Sequence, residues 1–120
     1  MRRGFLFAVL VMVAAAPALA DNYPVSGRWG QSASSEKGAI DCNGKRVIAF
    51  NGNQRTDTAG GVPAYRNRSV TSDGSSFRVI DEFATGQISG RTTSTLRKID
   101  TDHIEFAMQG GATLKLQRCK

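Results

Sequence analysis

Ile104-Glu105-Phe106-Ala107-Met108-Gln109-Gly110-Gly111-Ala112-Thr113-Leu114-Lys115-Leu116-Gln117-Arg118 is the stretch that decides the fold. Ile104, Phe106 and Met108 recur at every second position, and Glu105 and Gln109 take the other face. Beyond Gly110-Gly111 the alternation resumes, with Leu114 and Leu116 set against Thr113, Lys115 and Gln117. A period of two is that of a strand with one buried face, and paired glycines mark a chain reversal. The stretch reads as an antiparallel hairpin with an apolar inner row.

Working outward, turn signals of the same kind punctuate the chain. Asn43-Gly44, Asn51-Gly52 and Asp73-Gly74 are dipeptides that suit two-residue hairpin turns with positive φ. Gly60-Gly61, Thr85-Gly86 and Asp100-Thr101-Asp102 add further breaks. Most intervals suit an antiparallel barrel or sandwich, and no stretch from Asp21 onward sustains a helical period. The strands expected are Val25 to Gly30, Ala39 to Cys42, Lys45 to Phe50, Ala64 to Thr71, Ser76 to Phe83, Gln87 to Ile99, Ile104 to Gln109 and Ala112 to Arg118. Phe77, Val79 and Phe83 form another inward row. The fold expected is all-β: an antiparallel up-and-down barrel of about eight strands, whose closure removes exposed edges.

The first twenty residues have a different character. Arg2 and Arg3 precede an uncharged apolar run from Phe5 to Ala16, and Ala18-Leu19-Ala20 is an A-x-A cleavage site. This is the pattern of a secretory signal peptide, and the run is too short for a membrane span of about 20 residues. The expected organisation is a cleaved leader over 1–20 and one domain over 21–120, with no transmembrane segment after cleavage. A domain of that size often needs a covalent staple. Cys42 and Cys119 are the chain's two cysteines, and both follow the leader. Their separation matches neither metal-ligand spacing nor a catalytic thiol's surroundings, so a Cys42–Cys119 disulfide is expected, in the periplasm or outside the cell. Removing Arg2 and Arg3 leaves 14 Lys and Arg against 10 Asp and Glu, a net charge of +4. A mildly basic exported domain suits anionic partners; nucleic acid is not expected.

Gly27-Arg28-Trp29 opens the first strand and Arg118 closes the last. These residues resemble the signature shared by lipocalins and related calycin barrels. The resemblance implies that Trp29 plugs the closed end of the barrel. It implies that Arg118 packs across Trp29 as a cation–π cap. It also implies that the Cys42–Cys119 bridge ties the carboxyl end to an early part of the barrel. The chain is shorter than a lipocalin and lacks the late helix. The small periplasmic inhibitors of secreted metalloproteases are a second resemblance, although their disulfide closes a shorter loop.

Enzymatic chemistry is hard to assemble from this sequence. His103, beside Asp100 and Asp102, is the lone histidine and reads as a polar residue leaving a turn. No G-x-S-x-G elbow or phosphate-binding glycine loop is present. Asp81 and Glu82 are adjacent, so in a strand they point to opposite faces. Neither an enzyme, a metal site nor a cofactor is expected. Two features suit binding. Tyr65-Arg66-Asn67-Arg68, with Arg78 and Arg91 on nearby strands, offers a basic patch for an anionic group. Ser89 to Thr95 is a strand candidate without an apolar residue. It suits either an exposed edge or protruding hairpin, or a central strand whose Thr/Ser row lines a polar cavity; in the second case continuity of the pleat from Ile88 to Leu96 turns Thr92 and Ser94 inward and leaves Arg91, Thr93, Thr95 and Arg97 outside. The ligand-binding candidates are therefore Tyr65, Arg66, Arg68, Arg78, Thr92 and Ser94. The function expected is non-catalytic binding of a small amphipathic or anionic ligand or of an envelope component, by a monomer. The alternative is a periplasmic protease inhibitor or partner-binding module acting through Asp21 to Val25 or the Ala59 to Pro63 loop.

Overall fold

The computed structural model describes residues 22–120. The expected leader and the cleavage site, with Asp21, lie outside the described residues. Eight strands follow in order: β1 (Gly27–Gln31), β2 (Val47–Asn51), β3 (Gln54–Asp57), β4 (Ala64–Asp73), β5 (Ser76–Thr85), β6 (Ile88–Lys98), β7 (His103–Met108) and β8 (Thr113–Arg118). Each pairs antiparallel with its neighbours in sequence, and β8 returns to β1 to close the barrel. Closure is partial along the longest strands: residues 68–73 of β4 and 88–92 of β6 pair only with β5, so the β4–β5 and β5–β6 hairpins project beyond the closed part of the barrel.

Three hairpins share one design. Asn51 pairs with Gln54, Asp73 with Ser76 and Thr85 with Ile88. The two-residue turns are thus Gly52-Asn53, Gly74-Ser75 and Gly86-Gln87. Each glycine takes the first turn position at φ between +64° and +70°. An L side chain is strained there, and the opposite twist would splay the strands. The polar residue before each glycine ends a strand.

The inner face holds Trp29, Ile48, Phe50, Val79, Leu96, Ile104, Phe106, Leu114 and Leu116, all buried. Phe50 meets Tyr23 and Phe106 edge-on, at centroid distances of 5.0 and 6.0 Å. The expected row on β5 is present: Val79 is fully buried, and Phe77 packs against the core.

Two expectations need correction. Ala39 to Cys42 is not a strand; only an isolated parallel bridge joins Ile40 to Cys119. The segment belongs to a strap, residues 32–46, laid over the outside of β8. The Gln117 side chain donates to the Glu36 and Gly38 carbonyls at 2.9 Å each and accepts from Ser32. Asn43-Gly44 therefore turns within the strap and joins no hairpin. The eighth strand is instead β3, Gln54–Asp57, which contains no apolar residue. Its inward side chains, Arg55 and Asp57, are buried charges. Strand patterning by hydrophobicity passes over such a segment.

The expected disulfide is formed, with Cα atoms of Cys42 and Cys119 5.6 Å apart. It pins the strap to the end of β8 against Gly30, where a Cβ would lie 2.5 Å from Cys42 Sγ. Bonds of this kind persist in oxidising compartments.

Candidate functional site

The up-and-down order sends the two ends of the barrel different loops. The base carries the β2–β3, β4–β5 and β6–β7 turns and the junction of β8 with β1. The mouth carries the β3–β4 loop and the β5–β6 and β7–β8 turns, while the strap leaves β1 and folds back along the outer wall towards the base, where Gly38 meets Asp102 and Ile40 meets Arg118.

The base is sealed. Trp29 is 1% exposed, and the Arg118 guanidinium lies 4.5 Å from its ring centroid. Arg118 also donates to the Thr101 carbonyl at 3.1 and 3.3 Å, which holds the guanidinium over the indole. Gly27 is required at φ +93° where β1 begins. Residues 22–26 cross this end. Tyr23 N–H donates to the Gly52 carbonyl, and the Tyr23 side chain is buried. A hollow of about 450 Å³ remains between this segment and the β6–β7 turn.

A polar network occupies the barrel interior. On β5, Asp81 follows the alternation of Val79 and Phe83 and so points inward, fully buried. Its carboxylate accepts four hydrogen bonds: from Tyr23 Oη at 2.7 Å, Asn67 Nδ2 at 3.1 Å, and Arg55 Nε and Nη2 at 3.2 and 3.0 Å. Burial, with the Asp81 charge adding to it, pushes the Tyr23 hydroxyl far above its ordinary value. Tyr23 therefore acts as a donor. Arg55 is 2% exposed. Its guanidinium stacks 3.8 Å from the Tyr65 ring centroid and 4.9 Å from that of Phe106. Tyr65 is braced by Phe83 at 5.7 Å.

The network is incomplete. Arg55 Nη1, Thr92 Oγ1 and Asn67 Oδ1 are buried with no hydrogen-bond partner among the described residues. Buried polar atoms normally have partners, so each orphan marks a place for water or ligand. Arg55 and Thr92, with Tyr65, Ser94 and Met108, line a hollow of about 440 Å³ at the mouth. The hollow at the base has no such orphan in its lining. Thr92 stands directly opposite Asp81 in the β5–β6 register, and Ser94 stands opposite Val79 and Met108.

The sequence candidates separate into two groups. Tyr65, Thr92 and Ser94 face inward and meet at the mouth. Ile88, which served to set that parity, is 64% exposed because it lies at the hairpin tip. Arg66, Arg68 and Arg78 are exposed. Glu82 lies between Arg66 and Arg91 in register, and it pairs with Arg68 at 3.7 Å. Arg78 pairs with Thr71 and Thr95, four residues along β5 from Glu82, or about 13 Å at the usual rise. These cations are spread over the outer wall with an acid among them. Asn67, the first residue of a glycosylation-like triplet, is 3% exposed and bonded inside the barrel. Arg55 and Asp81 were not among the candidates, although the row Val79-x-Asp81-x-Phe83 already required Asp81 to point inward.

Two other charged groups lie outside this network. Asp57 accepts from Arg46 at 2.7 and 3.0 Å and from the Ala59 N–H. Burial opposes the charge on Asp57, but these donors together hold the carboxyl below its usual value. His103 Nδ1 lies 2.8 Å from exposed Asp100. Among the described residues, no three His, Cys, Asp or Glu side chains gather in a metal-binding group.

Comparison with protein-family models, with curated proteins and with solved structures gives no match to this chain.

Proposed function

We propose that this protein is an exported, non-catalytic binding protein of the periplasm or extracellular space. It holds a small amphipathic ligand, free or presented by an envelope component, in the barrel mouth. The observation that carries this reading is the pair of buried orphans, Arg55 Nη1 and Thr92 Oγ1, in the lining of one hollow of about 440 Å³. Ligand pockets are typically a few hundred Å³, apolar in body, with a few placed polar groups. Tyr65 and Met108 supply the apolar surface here, and Arg55 and Thr92 supply the polar end. The calycin resemblance supports the same reading through the sealed base, where Trp29 and Arg118 close one end and leave the other for entry. The inhibitor alternative asks for a projecting segment, Asp21 to Val25 or the Ala59 to Pro63 loop; Tyr23 ties the first of these to Asp81 within the barrel.

Native mass spectrometry of protein purified from its own host tests this. The expected spectrum carries a bound small molecule that is absent from a Thr92→Leu variant. A bound mass retained by that variant, or only the unliganded mass in the wild type, counts against the mouth as the site.

A further inference from the structure

The mouth network carries a charge pattern that bears on the chemistry of the ligand. Arg55 is the one cation buried there, and Asp81 takes two of its nitrogens. The Asp81 carboxylate is itself saturated by four donors. The pair is neutral as a unit, yet it still offers unused N–H groups at Arg55 Nη1 and a hydroxyl at Thr92.

From this arrangement, which rests on the mouth being the binding site, we infer that the ligand's polar end is an uncharged carbonyl, of the carboxamide or ester class, and not an anion. An anion entering beside Arg55 loses its hydration and meets the Asp81 charge a few ångströms behind the guanidinium. Attraction to one partner is offset by repulsion from the other, while the desolvation cost of the new charge remains. A neutral carbonyl oxygen accepts from Nη1 and from Thr92 without that cost. Arg66, Arg68 and Arg78 lie on the outer wall. Arg91 lines the outer rim of the hollow, but it is exposed, and a solvated charge there gives little to an anion buried beside Arg55.

Octanamide and octanoate are the test pair, because they share one apolar tail and differ at the polar end. Both are titrated into the folded protein by calorimetry. Side-chain nitrogen NMR of Arg55 and the methyl resonance of Thr92 report the site. The expected result is binding of octanamide about tenfold or more tighter than octanoate, that is about 1.4 kcal/mol, with shifts at Arg55 and Thr92. Asp81→Asn leaves the Arg55 charge uncompensated and should reverse the preference towards octanoate. If that variant does not fold, the wild-type comparison decides alone. Octanoate binding as tightly as octanamide, with the same shifts, overturns the inference and leaves the mouth as the site. Shifts confined to other residues, or none at millimolar ligand, overturn both.

Discussion

Arg55 on β3 and Asp81 on β5 meet at 3.0 Å across the inner face of β4, the strand that separates them. Both are buried, at 2% and 0% side-chain exposure, so their ion pair spans the barrel interior where an apolar fold would place leucines. Asn67, on the intervening strand, donates to the same carboxylate. The pair thus joins three strands through one acceptor.

Removing one partner leaves a buried charge without its counterion. Arg55→Met or Asp81→Leu alone should each cost roughly 3–5 kcal/mol. The double variant removes both charges and should be less destabilised than the sum of the two by about 2 kcal/mol or more. Urea unfolding of the four proteins gives the coupling. Additive losses would mean that the two side chains act independently.

Cys42 and Gly30 form a second pair with a measurable coupling. Cys42→Ala should cost about 2–5 kcal/mol, as loss of a native bridge in a small exported domain commonly does. Gly30→Ala places a methyl on the disulfide sulfur. Gly30 has an ordinary φ, so the clash is its main penalty. Gly30→Ala should therefore destabilise the wild type, yet cost little in a Cys42→Ala background. Thermal unfolding of the single and double variants separates the clash from any backbone effect.

Tyr23 predicts behaviour at alkaline pH. Its folded-state value is raised by burial and then by Asp81, above the unfolded value of about 10. Its stabilising contribution is then whole below about pH 10 and is lost as pH rises beyond it. Tyr23→Phe should be less stable than wild type at neutral pH by about 1 kcal/mol, the worth of a hydrogen bond to a charged acceptor or slightly less. The gap between the two proteins should narrow above pH 10. Urea midpoints across pH 8–11.5 measure it, and a gap that widens would place Tyr23 in a different environment.

Much of this architecture was legible before the structure. The period of two in β7 and β8, the glycine turns and the paired cysteines sufficed for a closed eight-stranded barrel with one bridge. The inward parity of Thr92 and Ser94 was read from Ile88 and Leu96; of the two only Leu96 is buried, and it suffices because register is rigid along an unbroken strand. The interior of β3 was not legible. Gln54-Arg55-Thr56-Asp57 has no apolar residue, and charged side chains are ordinarily exposed. Each of its buried charges has a counterion elsewhere in the sequence, Arg55 with Asp81 and Asp57 with Arg46. Hydrophobic patterning cannot register a core built from compensated charges. Ala39 to Cys42 failed for the converse reason: its apolar residues face the strap's underside, against the barrel's outer wall.

Thr92 supplies the last prediction, because its hydroxyl is buried without a partner while its neighbour Ser94 is packed at 3% exposure. A buried hydroxyl with nothing to bond carries a desolvation cost of about 1–3 kcal/mol, and replacing it with a methyl removes that cost. Thr92→Val keeps the shape of the side chain and its strand preference. It should hold or raise the melting temperature of the unliganded protein, by a few degrees at most on the usual scale of about 4–8 °C per kcal/mol. Thr92→Leu extends into the hollow at the mouth and should also be tolerated. Ser94→Leu meets Val79 and Met108 in the packed layer beneath and should be destabilised by about 1–3 kcal/mol, the usual cost of overpacking. The contrast between two adjacent inward positions locates the boundary between the filled base and the open mouth. Differential scanning calorimetry of the three variants reads it directly. A marked fall in melting temperature for Thr92→Val would mean that the hydroxyl has a partner in the unliganded protein. The mouth would then hold one donor fewer for a ligand.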